Sequence, residues 1–578
     1  MLKNFPTDYK VAMEWQWSDW QPHFQVLVDA DVTADTVENW LSAWKTVEDM
    51  SNEVAARMNA EKNADTSDEE AESRFKNFIA TIAPEMEKVE DTLNRKLVDS
   101  GVIPAELAIP TRAIETWIKN FREENLPIQT KLQGLSIEYS KINGAQTVEW
   151  DGEEITITQL QKVFREQDRD RREKAWYLMQ ERLWQDRDAV NNLWKQFMDG
   201  RLEMAKNAGF DDFRSYIWEQ RGRFDYTPEQ ALEFCDAIAE VVVPAAARLR
   251  EKGRLQLGYD SLRPWDMLQH SFGLAVDPLG REALKPYDTI EEFIDKGEAI
   301  FTQVDPELGG YFRMMKEDQL LDLDNRKNKA PGGYCTRFPV SERPFIFMNA
   351  VGLDGDVRTL LHEAGHAFHV FSTLGLPYHM LSQFSHIPME FAEVGSMAME
   401  LLATPYLTED KGGYFSNTDA AQFRADHLRN IIYFWPYMAV TVAFQHWVYT
   451  NHEAATDPDN CDAKYLELWH KYIPGIDWGD DEKYIVNRWR KQGHIFGAPF
   501  YYIEYGLAQL GAVQVWANSL DNQAEALKQY RHALALGGTA TLPDLFEAAG
   551  AKLSFDAATL QKAVDLIEGT IHQLEPVQ

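Results

Sequence analysis

The sequence predicts a mostly α protein with a small β element beside one helix that carries buried polar residues. Three observations carry that expectation. Apolar residues recur at three- and four-residue spacing over most of the chain, as in Val37, Trp40, Leu41, Trp44 and Val47. Strand-like alternation and β-branched or aromatic runs are confined to two short regions, 146–157 and 334–351. Finally, Leu361-His362-Glu363-Ala364-Gly365-His366-Ala367-Phe368-His369 places His-Glu-x-x-His in an otherwise apolar helix, where such groups need a reason to be.

In chain order, residues 36–60 and 67–98 read as a long antiparallel helical pair, the second marked by Phe75, Phe78, Ile79 and Ile82. Between Gln146 and Ile157 the alternation around Asp151-Gly152 predicts a hairpin with a tight turn. A long charged helix is expected from about Thr158 to Asn207, ended by Gly209. Its Arg165, Arg169, Arg171 and Arg172 read as a solvated or salt-bridged face rather than a nucleic-acid patch. Further helices run from about Thr227 to a loop at Asn325–Gly333, followed by strands at Tyr334–Pro339 and Pro344–Val351. The second strand leads into the His362 helix, so an extended peptide could pair with it through backbone groups at Phe345, Phe347, Asn349 and Ala350. The alternative is a hairpin that only packs under the helix. From Phe391 onward the pattern is again helical.

With 578 residues and 44% hydrophobic content, the chain can bury a large core. Lys and Arg number 58 against 92 Asp and Glu, a net charge of −34 that repels nucleic acid and anionic membranes. Cys235, Cys335 and Cys461 are too few and too far apart for a disulfide framework, which favours a reducing compartment. The start Met1-Leu2-Lys3-Asn4-Phe5-Pro6 lacks an apolar signal core and no long apolar run follows, so a cytoplasmic protein is expected.

On a helix, residues i and i+4 share a face about 5–6 Å apart, close enough for two imidazoles to hold one zinc ion. His362 and His366 have that spacing, and Glu363 points aside, where a carboxylate can accept a proton from water without being a ligand. A catalytic zinc takes a third protein ligand. The metzincin pattern would require Gly and His where His369 and Ser372 stand, which excludes it. The segment Pro388–Leu402 offers Glu393 and Glu400 instead, seven apart on one face of an apolar helix. Downstream, Gly493-His494-Ile495-Phe496-Gly497-Ala498-Pro499-Phe500-Tyr501-Tyr502-Ile503-Glu504-Tyr505 sets a histidine and tyrosines before another helical pattern. Neutral N–H and O–H donors suit the negative charge that develops on a carbonyl oxygen during peptide hydrolysis, although tyrosines at such a turn also serve as packing.

His-Glu-x-Gly-His-x-x-His followed about thirty residues later by Phe-x-Glu-Val-x-Ser resembles the thimet oligopeptidase and oligoendopeptidase F family of zinc metallopeptidases. The hairpin before residue 158 and the lengths are similar to the bacterial oligoendopeptidase F and Pz-peptidase branch. The resemblance implies a helical ellipsoid divided by a deep substrate channel, with one zinc ion per chain at its floor and a small sheet next to the zinc-binding helix. It implies Glu393 as the third ligand, and Glu400 matches a carboxylate position that supports the ligands. His369, one turn beyond His366, reads as a hydrogen-bonding neighbour of the site or a satisfied buried histidine, and His379 and His386 read as loop histidines that could alternatively coordinate. The resemblance further implies His494 and Tyr502 as transition-state donors and Tyr505 as a substrate-contacting hydroxyl. Tyr502 is preferred to Tyr501 because it keeps the i, i+3 pair with Tyr505. Pro499 and Phe500 stand where the thimet branch has a longer loop with a further tyrosine, so no loop tyrosine is carried over.

On that resemblance residues 1–200 form an N-terminal helical region with the hairpin, part of the channel wall, and 201–578 the catalytic region, the two halves intertwined. The implied activity is endopeptidase cleavage of short unstructured peptides, without nucleic-acid or membrane partners. Oligomeric state is not legible. Two competing readings are a helical zinc carboxypeptidase, which would need Arg337, Arg343, Arg488 or Arg490 for a substrate carboxylate, and a non-catalytic helical binding protein.

Overall fold

A computed structural model describes residues 1–269, 271–377 and 387–575. The protein is mostly α, with a two-stranded and a three-stranded sheet among the described residues. No described helix is long and apolar enough to cross a membrane.

The chain forms two compact units, each assembled from three segments. The first comprises Met1–Phe121, Ala283–Phe423 and Ala508–Leu553; the second comprises Arg122–Glu282, Arg424–Leu507 and Ser554–Gln578. A single boundary at residue 200 is therefore not the division the fold makes. Helices distant in sequence share each core, so the chain passes back and forth between units.

In the first unit, helix Val37–Ala64 buries Trp40, Leu41, Trp44 and Val47 against Trp20, Phe24 and Leu27. Its expected partner over 67–98 is interrupted. Helix Glu69–Asn77, capped by Asp68, runs into a π turn at Phe78–Ile82 before Ala83–Ser100. Pro84 lacks an N–H and cannot sustain regular helical bonding there, and the wider turn absorbs the break.

The three-stranded sheet contains β3 (Leu321–Asp324), β4 (Tyr334–Phe338) and β5 (Arg343–Ala350), in the order β3-β5-β4. β3 was not legible in the sequence. It is four residues of alternating Leu and Asp, and its parallel pairing with β5 matches Leu321 with Ile346 across an intervening loop and strand. The buried ammonium of Lys329 ties this corner together, donating to the carbonyls of Asp322, Asp324 and Met348. β4 and β5 pack on helix Asp354–Thr373, which carries His362. Gly352, at φ 85°, turns the chain sharply from β5 into that helix. Asp356 accepts hydrogen bonds from the backbone N–H groups of Val351, Gly352 and Leu353 and from the Tyr287 hydroxyl, fixing the entry.

Helix Met389–Leu402 lies against the His362 helix, and Gly365 marks their closest approach. A Cβ at Gly365 would stand 2.6 Å from Ser396 Cα and 2.8 Å from the Gly395 carbonyl oxygen.

In the second unit, β1 (Thr147–Trp150) and β2 (Glu153–Thr156) form the expected hairpin, with Asp151 and Gly152 both at positive φ. The long charged helix is shorter and divided: it begins at Arg169 and is broken at Asp186, giving Arg169–Gln185 and Arg187–Asn207. Asp168 accepts from the Asp170 and Arg171 N–H groups, and this cap sets the start. Arg169 and Arg172 pair with the buried Asp266, and Arg171 with Glu166 and Asp151. Cys235, Cys335 and Cys461 are free thiols.

The Gly365 contact involves backbone rather than a flexible side-chain end, so a methyl group there cannot be relieved by a rotamer change. Gly365→Ala should destabilise the fold by about 1–3 kcal/mol in denaturant unfolding of the chain. Wild-type stability in that variant would show that the helices are not packed this closely.

Candidate metal centre and active site

His362 and His366 lie one turn apart on helix Asp354–Thr373, with ring centroids 5.0 Å apart. Glu393, on the neighbouring helix Met389–Leu402, brings its Oε2 to 3.4 Å from His362 Nε2 and 3.6 Å from His366 Nε2. Three donors about 2 Å from one ion at tetrahedral angles stand about 3.4 Å apart, so the carboxylate spacing fits one small cation. All three donor atoms lie within 4.8 Å of one another.

The surroundings orient these donors. His362 Nδ1 is hydrogen bonded to Glu400 Oε1 at 2.8 Å, which fixes the ring and leaves Nε2 on the Glu393 side. Ser396 Oγ donates to Glu393 Oε2 at 3.1 Å. Burial opposes charge on Glu393, but the hydrogen bond with His362 and the fields of His366 and His362 outweigh it and lower its pKa to about 2. Burial likewise opposes charge on His362, yet its bonds to Glu393 and Glu400 raise its pKa well above the ordinary value. His366, dominated by burial, falls to about 4. Two buried carboxylates around two imidazoles thus demand positive charge at this spot, and a divalent cation meets that demand with the donor types zinc prefers.

Glu363 turns toward β4, with its carboxylate near the Cys335 backbone. Burial pushes its carboxyl up, His362 pulls it back, Glu393 reinforces the rise, and the result is about 7. His369 is fully buried and edge-on to Phe391. Burial, then the field of His366, lowers its pKa to about 3. The neutral ring packs between helices. His379 and His386 lie outside the described residues.

β5 does not offer the edge that strand addition at Phe345, Phe347, Asn349 and Ala350 requires. It is the central strand, paired with β4 over 343–347 and with β3 over 346–350. Phe345 stacks on Phe338, Phe347 stacks on Tyr334, Ala350 is buried, and the Asn349 amide holds the carbonyls of Ala330 and Gly332. The outer strands of this sheet are β3 and β4. Sequence alone could not identify β5 as central because β3 was invisible.

His494, Tyr502 and Tyr505 belong to the second unit. Helix Tyr502–Asp521 begins at Tyr502 and sets Tyr502 and Tyr505 one turn apart. The His494 ring centroid lies 4.8 Å from Tyr502, 5.8 Å from Tyr501 and 6.1 Å from Tyr505. Burial, then the neighbouring Arg221 charge, lowers the His494 pKa and favours the neutral ring. Burial also raises the Tyr502 pKa, keeping its hydroxyl protonated.

Several residues that frame this segment carried no sequence signal. Phe500 sits at φ 64°, a conformation that a bulky residue adopts only under constraint. Gln445 accepts from its N–H, Arg223 donates to its carbonyl, and Arg221 donates to the Pro499 carbonyl. Arg201 donates to the Ile495 and Phe496 carbonyls and to the Tyr449 hydroxyl. These partners lie some fifty to three hundred residues away in the chain, so no local motif betrays them.

The arginines considered for a substrate carboxylate are engaged otherwise. Arg343 pairs with Asp318, Arg490 with Asp462, Arg488 with Gln269, and Arg337 lies in the fields of Asp49 and Glu48.

Fold and site together define a helical metallopeptidase-type architecture, and the chain belongs to Peptidase family M3, whose profile it matches over residues 163–565. Among its relatives, it is 22% identical over 299 residues to Oligopeptidase PepF of Bacillus subtilis (strain 168), covering 50% of this chain and 41% of that protein. It is 23% identical over 296 residues to the plasmid Oligoendopeptidase F of Lactococcus lactis subsp. cremoris, covering 49% of this chain and 46% of that protein. The aligned stretch thus spans less than half the length of these relatives. A solved structure of Pz peptidase A with inhibitor 2 superposes with a TM-score of 0.86 at 26% identity, covering 100% of this chain and 99% of the other. Oligoendopeptidase F from Enterococcus faecium superposes with a TM-score of 0.64 at 16% identity over 99% of both chains, a likeness of fold.

The Glu400 bond to His362 should govern metal affinity. Glu400→Ala should weaken zinc binding about 10- to 100-fold in chelator competition, while Glu400→Gln, whose amide oxygen still accepts from Nδ1–H, should lose less. Equal affinity in wild type and Glu400→Ala would remove that role.

Proposed function

We propose that this protein is a zinc-dependent endopeptidase that hydrolyses internal bonds of short, unstructured peptides. The observation that carries the reading is the set of His362 Nε2, His366 Nε2 and Glu393 Oε2 at single-ion spacing, with a second carboxylate, Glu363, beside it. The names borne by the relatives, oligopeptidase and oligoendopeptidase, support the substrate class.

His362, His366 and Glu393 hold the ion, one per chain. Bound there, zinc supplies Lewis acidity toward a water molecule and a peptide carbonyl. Glu363, as carboxylate, accepts the proton of the attacking water and returns it to the departing amide nitrogen. Its carboxyl, lifted by burial to about 7, has a proton affinity suited to both acceptance and release near neutrality, and the nearby cation would draw it lower. His494, as a neutral imidazole, and Tyr502, as a neutral phenol, donate hydrogen bonds to the oxygen on which negative charge develops. Tyr505 contacts the substrate through its hydroxyl. With Arg337, Arg343, Arg488 and Arg490 otherwise engaged, carboxypeptidase-type recognition of a free C-terminus has less support.

Glu363→Gln should lower kcat about 10²- to 10⁴-fold and keep one zinc per chain by elemental analysis. An N-acetylated, C-amidated peptide ladder read by mass spectrometry should show internal cuts with an upper length limit. Wild-type turnover by Glu363→Gln would refute the proposed base, and an untouched blocked ladder beside a digested free peptide would refute endopeptidase action.

A further inference from the structure

We infer that Gln492 is the positioning residue that gives His494 and Tyr502 their donor roles, through a hydrogen-bond chain running from Tyr437 to the Gln492 amide to both side chains. This rests on the reading of His494 and Tyr502 as the donors to the developing oxyanion.

The chain has a fixed direction. The Tyr437 hydroxyl donates to Gln492 Oε1 at 3.0 Å, and Gln492 Nε2 lies 3.1 Å from His494 Nδ1. Because the amide oxygen is taken by the Tyr437 proton, the Nε2 end faces the histidine. An NH₂ group only donates, so Nδ1 must be the lone-pair nitrogen and the neutral ring carries its proton on Nε2. The second hydrogen of the same NH₂ is available to Tyr502, whose hydroxyl lies close enough to the Gln492 side chain for that group to offset part of the rise that burial gives its pKa. With the hydroxyl oxygen accepting from that side, the Tyr502 proton is left for another acceptor. At the far end, the Arg488 guanidinium lies beside the Tyr437 hydroxyl and partly offsets the rise that burial gives its pKa. A guanidinium has no lone pair to offer, so it faces the Tyr437 oxygen and leaves that proton for Gln492.

The chain is protected from solvent and from drift. Gln492, Tyr437 and Tyr502 are buried, and all of these residues belong to the second unit. The Arg488 position is held by Gln269 through both its side-chain and backbone oxygens and by the face of Phe272. Gln492 supplies through one nitrogen what two separate acceptors need, and its oxygen is what a carboxylate would duplicate. That makes Gln492→Glu a near-isosteric inversion. A carboxylate at 492 accepts from Tyr437 as before, but it also accepts from His494 Nδ1–H and from the Tyr502 hydroxyl. Both protons then point inward, and both donors are turned away from substrate.

The test compares kinetics and tautomer in the full-length, zinc-loaded enzyme with an internally quenched peptide. Gln492→Glu should lower kcat about 10- to 100-fold with KM within a few-fold and thermal midpoint near wild type. Histidine-selective ¹⁵N labelling, with His494 assigned by difference against His494→Ala, should show the proton on Nε2 in wild type and on Nδ1 in Gln492→Glu. Should Gln492→Glu not fold, Tyr437→Phe removes the hydroxyl that orients the amide and should give a mixed tautomer and a several-fold lower kcat. A wild-type His494 already protonated on Nδ1, or wild-type kcat in the variants when His494→Ala and Tyr502→Phe are impaired, would overturn the role of Gln492. Wild-type kcat in His494→Ala and Tyr502→Phe would instead overturn the underlying donor assignment, and the tautomer measurement still judges Gln492 by itself.

Discussion

The approach of helix Met389–Leu402 to helix Asp354–Thr373 at Gly365 is the constraint on which the candidate centre depends. Without a side chain at Gly365, the backbone at Gly395 and Ser396 comes into direct contact with the His362 helix. Glu393 then lies one short carboxylate arm from both imidazoles, and Glu400, two turns on, reaches the back of His362. A larger interhelical spacing would keep the helices packed yet separate the third donor from the first two. Everything else in this part of the first unit serves to hold the pair in that relation. Asp356 fixes where the His362 helix starts, β4 and β5 support one side, and the Tyr530 hydroxyl donates to the Gly395 carbonyl on another.

Charge follows from that geometry. Glu393 is drawn strongly toward its ionised form while Glu363, one residue from His362, is pushed by burial toward the proton-bound form. The difference arises from partners rather than from depth, since both carboxylates are nearly inaccessible. Glu393 faces two imidazoles; Glu363 faces a backbone group and feels Glu393 as a like charge. Separation of two similar carboxylates into an ionised ligand type and a proton carrier type is the pattern by which neighbouring acids take different chemical roles.

What the sequence made legible was local. The i, i+4 histidines, the Asp151-Gly152 turn and the apolar helix bearing Glu393 and Glu400 each declare themselves within a few residues, because helical and hairpin periodicities are short-range properties. What it concealed was long-range. β3 is too short and too acidic to announce itself, and only its pairing with β5 shows that Phe345, Phe347, Asn349 and Ala350 occupy a central strand. Arg201 and Arg223 look like ordinary helical or loop arginines, and nothing nearby signals that they bind carbonyls around residues 495–500. The break at Asp186 and the π turn at Phe78–Ile82 are likewise settled by packing and by one proline, against an unbroken helical pattern.

The second unit solves a different problem with different means. Its candidate donors must be neutral at the moment they act, and burial is arranged so that neutrality is their default: His494 is pushed down and Tyr502 up. Burial alone, however, says nothing about where their protons point. A buried neutral imidazole has two tautomers of similar energy, and only a partner with a fixed donor or acceptor character selects one. The same consideration explains why arginines crowd this segment. Guanidinium groups satisfy several carbonyls at once and cannot reverse their role, so the left-handed turn at Phe500 is held by groups whose hydrogen bonds run one way. An obligate donor passes its direction on through each amphoteric group it touches, and the inferred chain through Tyr437 and Gln492 would in that way make a neutral imidazole or hydroxyl present a proton rather than a lone pair.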